Sequence, residues 1–430
     1  MRPHRLVPES LALLSEGYAW LPDLLRARGE TTVGFRLLGH PALVLRGPEA
    51  VRFFYDEAHV RRHGALPAPV LSTLFGHGAV HTLDGAAHRA RKSLFLPLLE
   101  TDAVAGSAEH IATAWDEAVP RWRERPDVVL FDAVGRVITR GVRRWAGVPL
   151  AEHEEGALAR DLPAMVSGFA TAGPRHWRAR RARSRQEQRF ADLVTEVRSG
   201  RAETPAGSVL DRVCRHRDAD GAELTPRVAA VELLNVIRPT VALSRFVAFA
   251  AHALHRWPGN TDRLASGDPE FATAFAHEVR RFYPFAPFLG GRAVTDLTWQ
   301  GRQVPAGGLV LLDVYGQNHD ERLWKDPYAF RPERFLGHPP CRDELIPQGG
   351  GDPRTGHRCP GEAMTVGILE MLSQRLAALP YEVPPQDLTI ALHRVPTRPR
   401  SGMIIRLTAG RPPWMPRDEE TDTDRRAVRS

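Results

Sequence analysis

The sequence has few cysteines and, near its start, no apolar run long enough to cross a membrane. Its 430 residues contain three cysteines, Cys214, Cys341 and Cys359, which are too few and too scattered for a disulfide framework. The longest apolar run near the start, residues 11–14, is far below spanning length, and no signal peptide precedes it. We therefore expect a cytoplasmic protein without a membrane span, in which Cys214 and Cys341 have no chemical role.

The sequence also lacks a linker that would divide it, and it lacks aromatic residues interleaved with its basic residues. With 43% hydrophobic residues the chain can bury a substantial core, and we expect residues 1–409 to form a single domain. Residues 410–430, proline-rich and then charged, are expected to be disordered. The net charge of +7 favours anionic ligands, but the missing aromatic stripe argues against nucleic acid.

Hydrophobic periodicity and turn residues predict a mainly α-helical chain with small β-sheets. Thr225 and Pro226 supply an N-cap and a first-turn proline for a long apolar helix that ends at about Trp257. Residues 175–189 are strongly basic and, as a helix, would be cationic nearly all round. That surface is either solvated or a rim that attracts an anionic substrate. Other helices are expected at 18–30, 48–55, 101–125, 131–146, 150–171, 268–283 and 362–378, and strands at 31–38, 42–46 and within 293–312.

The richest stretch is a glycine-rich loop, residues 348–362, which reads QGGGDPRTGHRCPGE. Its glycines 349, 350, 351 and 356 are expected to let the backbone pass close to something flat and bulky. Cys359 precedes a helix that begins at Glu362, where free N–H groups and the helix dipole favour a thiolate. One cysteine cannot build a zinc site, but one thiolate can hold a haem iron axially. A buried structural cysteine is the alternative.

Two further motifs follow the pattern of one family. Glu278 and Arg281 share a helix face at i, i+3, and Arg334 in Pro332-Glu-Arg-Phe335 could complete a three-membered ion network. In order and spacing, these motifs and the cysteine loop resemble those of the cytochrome P450 superfamily. The resemblance covers about residues 10–408. It implies a mainly α fold with small β-sheets, a haem-thiolate catalytic domain, and haem b held by Cys359 between the loop and the long central helix.

The loop departs from the superfamily's common pattern and is similar to one branch of it. Asp352 and Thr355 stand where phenylalanine and glycine are usual, and His357 stands where a basic residue contacts a haem propionate. The run from Gly349 to Glu362 resembles that of the bacterial fatty-acid peroxygenases. These enzymes hydroxylate or decarboxylate fatty acids with hydrogen peroxide. The implied partners are therefore a fatty acid and hydrogen peroxide, without a redox protein.

The middle of the long helix carries Arg238 and Pro239, where oxygen-activating members of the superfamily have an acidic residue and a threonine. An arginine in an apolar helix is costly unless an anion meets it, and Pro239 removes a backbone hydrogen bond and bends the helix. We expect Arg238 to hold a substrate carboxylate bidentately. The alternative is a surface arginine on an amphipathic helix.

Peroxide activation needs a group that takes up a proton and returns it. A guanidinium stays protonated and cannot do this, so the carboxylate held by Arg238 is expected to act as the base. Oxidation should then fall at the α or β carbon, or lead to loss of CO₂ and a terminal alkene. The resemblance adds His81 to Arg238 and Pro239 as a catalytic residue, because a histidine at this place is associated with the decarboxylating members.

The resemblance implies further site residues. Phe75 and His81, in an irregular stretch 71–81, should face the substrate carboxylate, and Phe285 and Phe288 should turn toward the pocket. Asp84 is a plausible N-cap of a helix whose His88 and Lys92, at i, i+4, present a cationic face to a haem propionate. The alternatives are a structural histidine at 81 and an ordinary basic helix face.

Two other functions remain open from the sequence. A conventional cytochrome P450 monooxygenase would receive electrons from a ferredoxin docked on a basic surface, and a haem-containing sensor would bind a fatty acid without product. Activity with peroxide alone separates the three hypotheses. The missing acidic residue and threonine argue against the monooxygenase.

Overall fold

The computed structural model describes residues 9–37, 39–169, 171 and 173–408. Within them, sixteen α-helical segments surround a core, and short strands lie at the edges. Residue 38 of the first predicted strand, residue 170 of the predicted helix 150–171, and the tail 410–430 lie outside the described residues.

The helices are α1 (Glu9–Glu16), α2 (Trp20–Arg28), α3 (Pro48–Tyr55), α4 (Ala68–Val70), α5 (Gly85–Lys92), α6 (Thr101–Arg123), α7 (Leu130–Trp145), α8 (Glu152–Gly168), α9 (Pro174–Arg198), α10 (Val209–Arg215), α11 (Pro226–Ala242), α12 (Ser244–Arg256), α13 (Thr261–Ala265), α14 (Pro269–Phe282), α15 (Val314–Gln317) and α16 (Glu362–Ala378). The strands are β1 (Thr32–Leu37), β2 (His40–Leu45), β3 (Val60–Arg61), β4 (Val128–Val129), β5 (Phe288–Ala293), β6 (Leu297–Trp299), β7 (Arg302–Val304), β8 (Leu309–Asp313), β9 (Tyr381–Glu382) and β10 (Ile404–Leu407). The predicted helices and strands are present, mostly with ends moved by a few residues.

Three sheets are formed by these strands. The largest has the order β1-β2-β8-β5-β3, in which only β2 and β8 are parallel. The other two have the orders β4-β10-β9 and β6-β7. The main hydrophobic core lies elsewhere, among α6, α7, α11, α12, α14 and α16. The mainly helical fold with small sheets is therefore confirmed.

The predicted long central helix is interrupted at Leu243, between α11 and α12. Pro239 has no N–H to donate, and near it the backbone tightens: Leu243 N donates to Thr240 O at 3.1 Å, three residues back. Pro226–Arg256 is long and apolar enough to cross a membrane by length and composition, but 94% of its apolar window is buried inside the protein. The segment is used as a core helix.

The basic helix α9 is less uniformly solvated than its sequence predicts. Arg183 is only 2% exposed, and it lies on the inner face of α9 together with Ala179 and Phe190. The interpretation of this stretch as solvated is therefore wrong on this face, where the cation is buried. The Arg183 guanidinium contacts a loop over the candidate site.

Candidate active site

The cysteine loop is fixed by hydrogen bonds to Gln348. Cys359 N donates to Gln348 O at 3.2 Å, and the side-chain Nε2 of Gln348 lies 3.7 Å from Cys359 Sγ. Arg280 of α14 donates from Nε to Gln348 Oε1 at 3.2 Å, so the amide is held with its N–H toward the sulfur. Sequence reasoning missed both residues, because nothing in a lone glutamine or in the second arginine of Glu-Val-Arg-Arg indicates a contact with the cysteine.

Cys359 is surrounded by protein, yet the residue keeps some accessible surface, from which we infer an internal cavity beside the cysteine loop. Burial raises the pKa of the Cys359 thiol, and the Gly361 N–H and the Gln348 amide oppose this more weakly. The expected preference for the thiolate at the helix N-terminus is therefore outweighed by burial in the protein alone. A metal cation in the cavity would reverse the balance, because coordination deprotonates a thiol.

The loop glycines do approach a flat group, but that group is the Tyr55 ring of α3. A Cβ on Gly351, whose φ is +75°, would lie 3.1 Å from Tyr55 Cγ. A Cβ on Gly349 would collide with the Tyr55 hydroxyl, and one on Gly350 would collide with Val51. Among the described residues, these three glycines thus pack against α3, and the expectation that they approach a ligand is corrected.

Arg238 of α11 lies near enough to Cys359 for their charges to interact. The residue is 6% exposed, and its Nε has no hydrogen-bond partner among the described residues. Burial, and then Arg183, lower the pKa of Arg238 to about 9, and a Cys359 thiolate acts in the opposite direction. The guanidinium carbon lies 5.7 Å from the centroid of the Phe75 ring. A charged donor near the cysteine, whose Nε has no partner in the described part of the chain, is suited to bind an anion.

Phe75 and His81 lie together next to Arg238. Their ring centroids are 4.5 Å apart, and Nδ1 of His81 has no hydrogen-bond partner among the described residues. Burial, and then Arg238, lower the pKa of His81 to about 3. The imidazole is therefore neutral near pH 7 and offers one donor and one acceptor. The two residues lie in a π-helical turn at Leu71–Phe75 and a 3₁₀ turn at Val80–Thr82.

A second group of polar side chains forms the edge of the cavity. The rings of His88 and His357 stack with centroids 3.9 Å apart, and Nδ1 of His88 has no partner among the described residues. The donor atoms of Glu57, His88 and His357 all lie within 4.8 Å of one another. Arg62 is also buried here, where Asp84 and Tyr55 act against the burial that lowers its pKa. Sequence reasoning missed Arg62, because an arginine in a loop carries no local sign of burial.

The predicted basic face of α5 is buried rather than exposed. His88 is 2% and Lys92 is 3% exposed. Lys92 Nζ donates to the carbonyl oxygen of Gly356 and, at 3.0 Å, to that of Arg358. Burial lowers the pKa of Lys92 to about 8. Lys92 thus binds the backbone of the cysteine loop, and its expected free ammonium tip is corrected.

Asp84 does not cap α5 with its side chain. Its carboxylate accepts from Arg62 N and from His63 N, each at 2.8 Å, and it lies 3.4 Å from His357 Nε2. The predicted N-cap is therefore wrong as a side-chain contact, because the preceding turn and His357 compete for the carboxylate.

The two phenylalanines expected at the pocket separate in the structure. Phe285 stacks on Phe246 of α12 with centroids 4.5 Å apart and packs against the small cluster that includes Leu74 and Ala242. Phe288 is the first residue of β5 and packs on Trp20, with centroids 5.8 Å apart, in a different cluster. Phe285 therefore packs against the same cluster as Phe75, whereas Phe288 packs in a different cluster, and its placement at the pocket is wrong.

The three-membered ion network is present. Arg281 donates from Nε and Nη2 to the two carboxylate oxygens of Glu278, at 2.7 and 2.8 Å, and both residues are fully buried. Arg334 Nε donates to Glu278 Oε2 at 3.1 Å. The network joins α14 to the 3₁₀ turn Pro332–Phe335.

These features fit a haem. The inferred cavity adjoins Cys359, the apolar helix α11 brings Arg238 near it, and the buried imidazole of His88 and guanidinium of Arg62 are suited to the carboxylates of the macrocycle. A single cysteine loop in this setting defines the class of haem-thiolate proteins.

Comparison with known proteins identifies the family. The model of the Cytochrome P450 family matches residues 268–372. The structure of Cytochrome P450SP alpha (CYP152B1) in complex with (R)-ibuprophen is 39% identical, with a TM-score of 0.90, covering 93% of this chain and 98% of that one. Ligand-free cytochrome P450 OleT is 36% identical, with a TM-score of 0.90, covering 93% and 96%. Cytochrome P450 135B1 of Mycobacterium tuberculosis is 24% identical over 390 residues, 84% of this chain and 80% of that protein.

The chain therefore belongs to the cytochrome P450 family, and it is an oxidoreductase that uses a haem iron held by a cysteine thiolate. The resemblance to the branch that contains P450SP alpha and OleT is confirmed by the identity over nearly the whole length.

Proposed function

We propose that the protein is a fatty-acid peroxygenase, which uses hydrogen peroxide to hydroxylate a fatty acid at the α or β carbon or to decarboxylate it. The observation that carries the proposal is Arg238, a buried cation near Cys359 whose Nε–H has no partner among the residues that the structure describes. A variant of OleT has been solved in complex with arachidonic acid, and P450SP alpha with (R)-ibuprophen. Both of those ligands are carboxylic acids.

Arg238 is assigned the role of holding the substrate carboxylate. A bidentate contact between guanidinium and carboxylate fixes the orientation of the acid as well as its position. Its chain would extend past Phe75 and Phe285, so the carbons next to the carboxylate stay nearest the reacting centre. Cys359 would hold the iron of haem b, and His88 and His357 would meet its propionates, while Lys92 fixes the backbone of the cysteine loop; the group would supply the iron and a thiolate that promotes O–O cleavage.

The proton is moved by the substrate itself. Arg238 remains protonated near pH 7, even with its pKa lowered to about 9, so it is not a base. A carboxylate oxygen seated on Arg238 accepts a proton from peroxide and returns it to the departing oxygen, which leaves as water. Pro239 contributes by bending α11 beside this seat and by withholding a competing N–H.

The expected products follow from the position of the carboxylate on Arg238. One oxygen of peroxide enters a C–H bond to give the hydroxy acid, and the other leaves as water. In the second outcome the acid loses two electrons, and a terminal alkene, CO₂ and water form. His81, neutral and next to Arg238, is assigned the role of favouring this decarboxylation.

The remaining assignments belong to the same proposal. No redox protein is required, because peroxide supplies both the oxygen and the oxidising equivalents. Residues 1–409 are taken as one catalytic domain in the cytoplasm.

The test compares Arg238→Ala and Arg238→Lys with the wild type, using a fatty acid and hydrogen peroxide. Loss of a charge-assisted hydrogen bond is worth about 1.5–3 kcal/mol, so Arg238→Ala should weaken fatty-acid binding about 10- to 100-fold and abolish turnover. Arg238→Lys keeps the charge without the bidentate fork and should retain part of the binding. Undiminished turnover by Arg238→Ala would refute the proposal.

A further inference from the structure

The distal loop, which we define as residues 74–81, carries both Phe75 and His81. Its backbone is held by charged side chains that come from three helices. Arg183 of α9 donates from Nη1 to Leu74 O at 2.7 Å and from Nη2 to Phe75 O at 3.0 Å. Its Nε donates to Glu187 on the same helix. The buried Arg183 guanidinium therefore holds the backbone carbonyl groups of two consecutive residues, Leu74 and Phe75.

The other end of the distal loop is held by Arg91 of α5 and Glu232 of α11. Arg91 Nη1 donates to Gly78 O at 3.0 Å and to Glu232 Oε1 at 2.7 Å. The same carboxylate oxygen accepts from Val80 N at 2.8 Å, immediately before His81. A bidentate contact from Arg91 to Asp218 completes the group.

Between these two sets of hydrogen bonds, the distal loop packs tightly against Arg183 of α9 and Val231 of α11. Gly76 has a φ of +85°, and a Cβ there would collide with Arg183 Nη2 and with the Val231 side chain. The loop has no room to shift toward α9 or α11. Its position is therefore set by Arg183 and by the face of α11 that also carries Arg238.

The buried ion pairs that hold the distal loop are an inefficient way to stabilise the fold. Burying an ion pair removes two charges from water, and apolar side chains of similar volume often stabilise a fold as well or better. Arg183 is 2% exposed, Arg91 is 5% exposed and Glu232 is fully buried. Arg183 also lies close enough to Arg238 to lower its pKa, which adds an unfavourable like-charge interaction. What a guanidinium provides instead is a rigid planar set of donors that fixes the positions of carbonyl groups.

We propose that Arg183–Glu187 and Arg91–Glu232 are positioning groups, which set where Phe75 and His81 stand relative to Arg238 and thereby determine which substrate carbon is oxidised. The inference rests on the proposed fatty-acid peroxygenase function and names residues outside the carboxylate seat that control its outcome. Phe75 is the ring beneath the Arg238 guanidinium, so a displaced carbonyl at residue 74 or 75 displaces the surface on which the substrate lies.

The main test uses the double variant Arg183→Met/Glu187→Gln, which removes the ion pair without leaving a buried charge. Arg181→Met is the matched control, because Arg181 is exposed on the same helix. The ratio of α-hydroxy acid, β-hydroxy acid and alkene is measured per turnover, together with the fatty-acid dissociation constant. This ratio does not depend on the fraction of enzyme that is folded, so a purely structural role leaves it unchanged.

We expect the double variant to change the product ratio by at least about threefold, since a 1 Å misplacement can change a rate by up to about 100-fold. Amide hydrogen exchange in residues 74–81 should become faster. Arg183→Lys keeps the charge but not the planar fork, and it should shift the ratio in the same direction by less. Arg181→Met should match the wild type in all three measurements.

An unchanged product ratio and dissociation constant in the double variant would overturn the inference, even if its stability fell. If the double variant does not fold, Arg183→Lys decides by the same criterion. Failure of the proposed function is distinguished by the controls: wild type and Arg181→Met would then form no oxidised fatty acid with peroxide.

Discussion

At the scale of single residues, the proposed function depends on the charge of Arg238, which lies among apolar residues. The sequence around Arg238 predicts burial, because its neighbours on both sides are apolar, and the structure places the side chain inside at 6% exposure. The pKa of Arg238 falls to about 9 through burial, yet the group remains a cation near pH 7. A cation that stays protonated near pH 7, and whose Nε has no partner within the described ranges, is a binding group rather than a base.

His81 gives a prediction about pH. Its pKa is lowered to about 3, whereas an unperturbed histidine titrates near pH 6.5. The ratio of alkene to hydroxy acid should therefore be constant between about pH 6 and pH 8, and His81→Gln should lower this ratio throughout. Product analysis across this range checks both. A wild-type ratio that titrates near pH 6.5 would contradict the neutral state.

Residues whose role is long-range could not be found from the sequence. Arg62, Gln348 and Arg183 act through contacts with segments that are far away in the chain, and their neighbours carry no periodic or motif signal. Three site residues were predictable from local patterns. Arg238 is a charged residue in an apolar stretch, and Cys359 and Glu278 belong to recognisable motifs. The error for Phe288 has the same origin: the turn at 285–288 is visible in the sequence, but the side of β5 on which the ring lies is not.

At the scale of elements, local signals fixed the helix ends best where a proline or a cap stands. The helix at residues 48–55 was predicted with its observed ends because Pro48 suits the first turn. The break at Leu243 was not predicted, because Pro239 frees a carbonyl one turn earlier, at Asn235, and no sequence signal marks Leu243. The distal loop shows the opposite case: its sequence is irregular, and buried charges on three helices give it its shape.

The Glu278 network predicts an unequal response to two similar substitutions. Arg281→Met leaves the buried Glu278 carboxylate with the Arg334 guanidinium and the Arg331 backbone N–H, and removing one partner of a buried pair costs about 3–5 kcal/mol. Arg302→Met breaks an exposed pair with Glu30, which is worth about 0–1 kcal/mol. Urea unfolding of the two variants measures both. Equal, small losses would show that the network does not anchor α14.

At the scale of the whole molecule, three motifs and their order predicted the fold, although they occupy a small part of the chain. Motif order constrains topology because the cysteine loop, the Glu278 helix and the Arg334 turn must meet in space. The strand pairing of the largest sheet, by contrast, joins residues near 40 to residues near 310, and no local pattern specifies such a contact.

The buried histidines predict sensitivity to acid. Burial lowers the pKa values of His252 and His277 to about 4, and Arg280 Nη1 lies 3.0 Å from His277 Nδ1, where a neutral ring accepts. The unfolded chain binds these protons below about pH 6.5, so stability falls with falling pH by up to about 1.4 kcal/mol per histidine and pH unit.

Urea unfolding at about pH 7.5 and pH 5.5 measures this loss. His277→Asn should reduce the difference between the two conditions, while His338→Asn, at an exposed position, should leave it unchanged. An equal pH dependence in all three proteins would show that His277 is not one of the groups responsible.

The most direct measurement is incubation of the purified protein with fatty acids of graded chain length and hydrogen peroxide, without any electron donor, followed by product identification. The account predicts α- or β-hydroxy acids together with some terminal alkene, because the carboxylate is fixed at Arg238 whatever the chain length. Products that form only with a ferredoxin and its reductase, or oxidation at a constant distance from the methyl end, would contradict it.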